Sequence, residues 1–282
     1  MTTFRVWAPK ADHVDLELDG DRTRMALGSG GWYAVDIADA DAPAGTTYRF
    51  VVDSGDPRPD PRSPSQPAGI DGPSQVVDHD AFGWGDGGWH GIHLPSAVIY
   101  ELHVGAFTPD GTFDSAIDRL GHLVDLGVTA IELLPVNEFS GDRGWGYDGV
   151  LLYAPHHAYG GPDGLKRLVD ACHARGLGVI MDVVYNHLGP AGNHLAKYGP
   201  YFTDRYNTPW GDAVNFDGRG SDEVRRFFID NALMWLRDYH CDGLRLDAVH
   251  AIVDTSAYHI LEEMGLEVER ESAALGRNLF LI

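Results

Sequence analysis

Arg245 and Asp247 stand two residues apart in the stretch Gly243-Leu244-Arg245-Leu246-Asp247-Ala248-Val249-His250. The stretch reads as a short strand, and side chains alternate along a strand. Arg245 and Asp247 therefore share one face while Leu244 and Leu246 take the other. A buried carboxylate is costly without a partner, and the guanidinium on the same face supplies one. A carboxylate so paired is expected to serve as the ionised group that a carboxylate nucleophile needs. An isolated Arg-x-Asp is more readily read as a structural ion pair at a strand end. A second charged strand end upstream, Asp182-Val183-Val184-Tyr185-Asn186-His187, favours the chemical reading.

Such groups act together only if their strands end on one rim. From residue 97 onward strand and helix patterns alternate. Strand candidates cover 97–104, 128–134, 177–183 and 243–250, and residues 278–282 begin a fifth. Between them, Asp114 caps a helix with Ile117, Leu120 and Val124 on one face and Gly127 as its stop. Pro162 opens a second helix with Leu165, Leu168, Val169 and Cys172 inward, ending at Gly176. Ser221 caps a third bearing Val224, Phe227, Phe228, Ala232, Trp235 and Leu236, and a fourth covers roughly 255–273. Repeated βα units mean a parallel sheet, either barrel or doubly wound. Polar stretches follow successive strands at 141–149, 182–193 and 247–250, and no glycine-rich dinucleotide loop follows the first strand. That distribution favours a (β/α)8 barrel with its active face at the strand ends. The long segment 198–211 is rich in aromatic residues and suits a carbohydrate surface, or else a self-packed Ω-loop.

Ahead of these units, residues 4–8, 13–18, 32–37 and 47–52 alternate in polarity between turn signals, the pattern of a small β-sandwich. Residues 56–73 read as irregular coil. The Gly-rich run 80–93 carries Trp84 and Trp89, whose expected use is packing between domains, with sugar binding as the alternative. The expected organisation is a β-sandwich domain over 1–84, a linker over 85–96 and a barrel over 97–282.

Composition sets the outer limits. With 44% hydrophobic and 22% charged residues, the 282-residue chain can bury a sizeable core. Its formal net charge of -21 repels nucleic acid and anionic membranes and suits a neutral substrate. The start shows no secretory pattern, and no run approaches the length of a membrane span. Cys172 and Cys241 are expected as buried thiols in a reducing cytoplasm. No Cys/His spacing suggests zinc.

The two charged strand ends resemble the first two of the four signature regions of the α-amylase superfamily of glycoside hydrolases, in order and on the expected third and fourth barrel strands. Gly144-Trp145-Gly146-Tyr147-Asp148-Gly149 is similar to the family's loop whose tyrosine stacks on the cleaved sugar. Residues 4–52 resemble the early-set, carbohydrate-binding-like β-sandwich in front of the barrel in branching and debranching members. Residues 98–108 resemble glycogen branching enzymes equally well. Thr208-Pro209-Trp210-Gly211, residues 231–236 and the Asp242–His250 stretch are most similar to the trehalose-releasing subfamily. Its members hydrolyse the α-1,4 bond next to the terminal trehalose of maltooligosyltrehalose and work alongside a maltooligosyltrehalose synthase.

The resemblance implies Asp247 as nucleophile, Arg245 as its orienting partner and Asp182 as a member of the same polar network. It implies His187 and His250 bonding sugar hydroxyls, Tyr147 stacking beneath the sugar, and Trp145 and Trp210 as substrate contacts, with no cofactor and no metal. A retaining mechanism also needs a protonated carboxyl roughly 5 Å from the nucleophile. The family places that glutamate at the end of the fifth strand and a third carboxylate after the seventh. The expectation is therefore a C-terminally truncated, inactive chain holding the first half of the barrel, with both groups beyond residue 282. Glu262, Glu263, Glu267, Glu269 and Glu271 lie in the preceding helical segment and are not assigned as the acid. His122, His156, His157, His173, His194 and His259 are expected to be structural. The alternatives are a branching transglycosylase and an inactive α-glucan-binding fragment.

Overall fold

Period-two burial builds the first part of the computed structural model, which describes residues 1–282. Its strands are β1 (Thr2–Trp7), β2 (Val14–Leu18), β3 (Asp21–Arg24), β4 (Ala26–Leu27), β5 (Trp32–Ile37), β6 (Thr47–Val52) and β7 (Ser74–Gln75). They form two antiparallel sheets, ordered β1-β5-β4 and β3-β2-β6-β7. In β2, Val14 and Leu16 are buried, while Asp15 and Glu17 pair with Arg24 and Arg22 of β3. The sheets meet where Phe4 of β1 packs edge-on against Tyr48 of β6, ring centroids 4.8 Å apart.

The chain then alternates strands and helices. In order come β8 (Ile99–Leu102), α1 (Val104–Phe107), α2 (Phe113–Ile117), α3 (Leu120–Leu126) and β9 (Ala130–Leu133). A hairpin of β10 (Asn137–Glu138) and β11 (Leu151–Pro155) leads to α4 (Gly161–His173), β12 (Gly178–Val183) and α5 (Leu195–Tyr198). A second hairpin, β13 (Phe202–Thr208) and β14 (Gly211–Val214), precedes α6 (Ser221–Arg237), β15 (Gly243–Leu246), α7 (Ile260–Leu275) and β16 (Phe280–Leu281). Strands β8, β9, β12, β15 and β16 make one parallel sheet in sequential order, without the reversal of a doubly wound sheet. Every residue of β12 is buried, as a parallel strand covered on both faces requires. Helices α4 and α6 bury the apolar faces expected of them. No helix is long and apolar enough to cross a membrane.

The segments on either side of β7, between β6 and β8, fasten the two regions together. Arg62 lies over the rings of Trp32, Tyr153 and Phe227, with centroids 5.5, 5.5 and 5.2 Å away. Its guanidinium also donates to Tyr153 and Asp230, both at 2.9 Å. Trp84 stacks on His240 at 3.7 Å and Trp89 on His173 at 4.6 Å. Both tryptophans are thus taken up by packing rather than left as sugar platforms.

Several local expectations are corrected. The first parallel strand is shorter than 97–104, because Val104 already opens α1. Thr112, not Asp114, caps α2, through a capping box with Ser115, and Asp114 instead holds Arg167 of α4 with two 2.8 Å bonds. A break between α2 and α3 rotates the helical phase, so Phe113, Ala116, Leu120 and Leu123 face inward and Val124 is 40% exposed. Gly220, at φ 77°, precedes α6, leaving Ser221 as its first residue and not its cap. The segment 198–211 is a short helix and a hairpin, not an Ω-loop. Helix α7 starts at Ile260, whose N–H is held by Asp254, rather than near 255.

At the N-terminal end of the parallel sheet a buried charge network joins the linking segment to the strands. Asp242 accepts from the Trp89 indole at 2.7 Å and Val179 N–H at 2.8 Å, and bonds His173 Nε2 at 3.1 Å. His173 Nδ1 reaches Asp86 at 2.8 Å, and Asp86 also meets His240 at 2.8 Å. Burial opposes charge on His173, but its bonds to Asp242 and Asp86 raise its pKa above the ordinary value. Burial also works against Asp86, yet His173 and His240 hold it well below the usual carboxylate range. A raised histidine stabilises the fold fully below about pH 6.5 and loses that contribution as pH rises through its folded pKa, while a lowered Asp86 contributes above about pH 4. His173→Gln should therefore cost most stability near pH 5 and distinctly less near pH 9 in urea denaturation. Equal losses at both pH values would refute the charged network.

Candidate active site

The parallel register of β12 and β15 sets Asp182 beside Arg245. One guanidinium nitrogen, Nη1, donates to Asp182 Oδ1 at 3.1 Å and Oδ2 at 3.0 Å, and to Asp247 Oδ1 at 2.6 Å. Leu244 and Leu246 point the other way into the core. Asp182 is fully buried. Burial pushes its pKa up to about 6 against the downward pull of Arg245 and of the Tyr147 hydroxyl, which donates to Oδ2 at 3.0 Å. Burial works against charge on Arg245, but its bonds to Asp247 and Asp182 raise its pKa further and keep it cationic.

Asp247 is fixed from a second side by Asn186. The Asn186 amide donates to the Asp247 carbonyl at 2.8 Å and to Oδ2 at 3.3 Å. The Asp247 N–H continues the sheet ladder to Val183 O at 3.0 Å. Immediately afterwards Ala248 takes a left-handed conformation, φ 43° and ψ 46°. That geometry is costly for a residue with a Cβ, and it turns the chain sharply past the carboxylate.

His187 is buried, bonds Asn186 through Nδ1, and stacks flat against Trp210 with centroids 4.3 Å apart and planes 7° from parallel. Burial lowers the His187 pKa. Trp210 sits at the tip of the β13–β14 hairpin beside a groove of about 640 Å³ lined by Asp148, His187, Asn193, Phe202, Trp210 and Asp212 among others. Trp145 is 79% exposed and borders a smaller hollow that shares Asp148 and Pro190 with the groove. His250 is exposed in a short turn just beyond Asp247. The structure thus brings Tyr147, Asp182, Arg245 and Asp247 into one bonded cluster and joins His187 to Trp210. Trp145 and His250 stand outside those contacts.

Three members of the site carried no assigned role at the sequence level. Asn186 lay inside the 182–187 stretch, and its direct hold on Asp247 follows from the loop path rather than from strand alternation. Glu101 and Glu132 are register partners on β8 and β9, and their carboxylates lie within 4.8 Å of Asp182. Burial, with Asp182 and Glu101 nearby, raises the Glu132 pKa. Their equivalent positions on successive strands were the signal available in the sequence.

A second cluster, Glu138, His156 and His157, also has metal-ligand character. Its facing atoms are already engaged by hydrogen bonds. His156 Nδ1 accepts from Ala158 N–H at 3.1 Å, so Nε2 carries the proton and donates to Gly141 O at 3.0 Å. Glu138 accepts from His157 N–H at 2.9 Å and pairs with its Nδ1 at 2.8 Å. Burial pushes Glu138 up to about 7. The cluster works as a clamp between β10 and the turn after β11.

Similarity to known proteins extends over nearly the whole chain. Residues 71–205 match the alpha amylase catalytic-domain family. The chain is 55% identical over 99% of its length to a malto-oligosyltrehalose trehalohydrolase of Arthrobacter ramosus, covering 49% of that protein. The chain spans about half the length of the curated relatives it matches. A crystal structure of an alpha amylase candidate from Salmonella typhimurium superposes with a TM-score of 0.93 at 45% identity, covering 99% of this chain and 47% of that one. A pullulanase from Anoxybacillus complexed with maltotetraose superposes with a TM-score of 0.81 at 25% identity, over 95% of this chain and 46% of that one. Residues 71–205, just under half of the chain, thus match the α-amylase family, and the relatives named above extend the similarity over nearly all of it.

Proposed function

We propose that this chain supplies the nucleophile and sugar-binding groove of a retaining glycoside hydrolase that releases trehalose from maltooligosyltrehalose. The observation that carries the reading is the Arg245–Asp247 pair, braced by Asp182 and Asn186 at the ends of adjacent parallel strands. Asp247 would attack the anomeric carbon of the sugar at the cleaved α-1,4 bond. One carboxylate oxygen forms a bond to that carbon as the bond to the leaving trehalose unit breaks. A protonated carboxyl passes its proton to the leaving oxygen, and water then releases the glycosyl group with retained configuration. No residue of this chain is assigned that acid role. Tyr147, His187, His250, Trp145 and Trp210 would contact the glucan, and Asp182 would hold Arg245 in place.

The same reading extends to architecture and setting. The two antiparallel sheets would form a β-sandwich over 1–84, with 85–96 linking it to residues 97–282 as the leading strands of an eight-stranded barrel. The substrate would come from a maltooligosyltrehalose synthase, and two buried free thiols fit a cytoplasmic protein. The names of the relatives at about half coverage and the maltotetraose complex support an α-glucan ligand.

Covalent trapping tests the nucleophile. A maltosyl 5-fluoro-α-fluoride carries a fluoride leaving group that needs little acid assistance, so it should label the peptide containing Asp247, detected by mass spectrometry. Label on another residue, or equal labelling of Asp247→Asn, would sink the assignment. Substrate identity is read separately: trehalose from maltooligosyltrehalose supports the proposal, and new α-1,6 branches in amylose would replace it with a transglycosylase.

The ion network gives a further expectation. Arg245→Met leaves Asp182 buried without its cation and should cost about 3 kcal/mol in urea denaturation. Adding Asp182→Asn should recover a substantial part of that loss, since the uncompensated charge is gone. Additive losses would show that the pair is not coupled.

A further inference from the structure

Loops that reach over a groove need something to hold their angle. The β13–β14 hairpin has a weak ladder. Thr203 pairs with Ala213 and Asn207 with Asp212, so residues 204–206 bulge out unpaired on one strand. The tip that carries Trp210 is therefore joined to its base through an irregular step.

That step is pinned by one carboxylate. Asp217 has its side chain only 1% exposed and lies just past β14. Its Oδ2 accepts from the Tyr206 hydroxyl at 2.8 Å, from Thr255 N–H at 2.9 Å and from Thr255 Oγ1 at 2.6 Å. Arg205, also in the bulge, reaches Oδ1 at 3.5 Å. Burial works against charge on Asp217, yet these donors hold its pKa below the ordinary carboxylate value. Thr255 belongs to the segment that follows Asp247 and the strained Ala248. That segment is itself clasped by Arg225, which donates to Asp254 at 2.6 Å and to the Tyr258 carbonyl at 2.7 Å.

We propose that Asp217 is a positioning residue for the sugar groove: it locks the Trp210 hairpin to the segment behind Asp247 and so fixes the indole against His187. Two walls of the site, one bearing Trp210 and one bearing Asp247, share this anchor, with the Tyr206 hydroxyl also reaching Thr255 Oγ1 at 3.4 Å. With the anchor in place the Trp210 face is presented as a preformed stacking platform, and binding does not have to order the hairpin. Without it, the bulge leaves the tip free to swing away from His187. The glucan part of this inference rests on the proposed function; the hold on Trp210 does not.

The test uses Asp217→Asn and the milder Tyr206→Phe in the full 282-residue chain. The ¹H–¹⁵N resonance of the Trp210 indole, assigned by its loss in Trp210→Phe, reports stacking on His187 without any ligand. In both variants it should shift toward the position of an unstacked indole while the other tryptophan resonances hold still. Maltotetraose affinity, measured by calorimetry, should weaken about tenfold in Asp217→Asn. It should weaken no further when Trp210→Ala is added to that variant. An unmoved Trp210 resonance in both variants would overturn the proposal, as would affinity losses that simply add. A moved resonance with no maltotetraose binding by the unaltered chain would leave the anchor standing and reject the glucan reading.

Discussion

One guanidinium sets the geometry of the site. Arg245 is the cation that Asp182 and Asp247 share, and it reaches both only because β12 and β15 run parallel with Asp182 opposite it. Such a register tolerates no slip, since moving one residue would turn Asp182 into the apolar layer behind the sheet. The packing enforces this tightly. Gly243 is approached so closely by the Phe280 ring that an added Cβ would fall 2.3 Å from it. A side chain at that position would push β16 off β15, and with it the strand that carries Arg245.

The opposite end of the same strand pair is also held by charge. Asp242 stands immediately before β15 and takes Val179 of β12, His173 and Trp89. Strand β15 is thereby tied at both ends, by a carboxylate beneath and a guanidinium above, and its four residues have little freedom to slide. Buried charges are costly: Asp242 is offset by His173 and by the N–H donors of Val179 and Trp89, and Arg245 by the two carboxylates it donates to. The arrangement places rigidity where a reacting carboxylate needs it, while the hairpin that carries Trp210 borders the groove.

Much of this was legible in the residues. Alternation in 243–250 identified the shared face of Arg245 and Asp247, and the leucines opposite are buried as that reading required. The βα order and the inward faces of α4 and α6 followed from helical periodicity. One error arose where a neighbour competes for a side chain. Asp114 looked like a cap but is claimed by Arg167, and Thr112 takes the cap because Ser115 completes its box. Tyr206, Asp217 and Thr255 were invisible for another reason. Their association depends on a bulge and on two loops far apart in sequence, and no local period encodes that meeting.

Arg62 carries a consequence for how the chain is made. Its partner Asp230 lies 168 residues downstream, so this contact between the two regions cannot form until those residues have been made. At about 5–20 residues per second, the N-terminal sheets would wait roughly 10–30 s after emerging before Phe227 and Asp230 arrive. During that interval Trp32 and the apolar edge it borders lack their cover. The clasp therefore marks the earliest point at which the small N-terminal sheets can gain the cover of Tyr153 and Phe227 through Arg62.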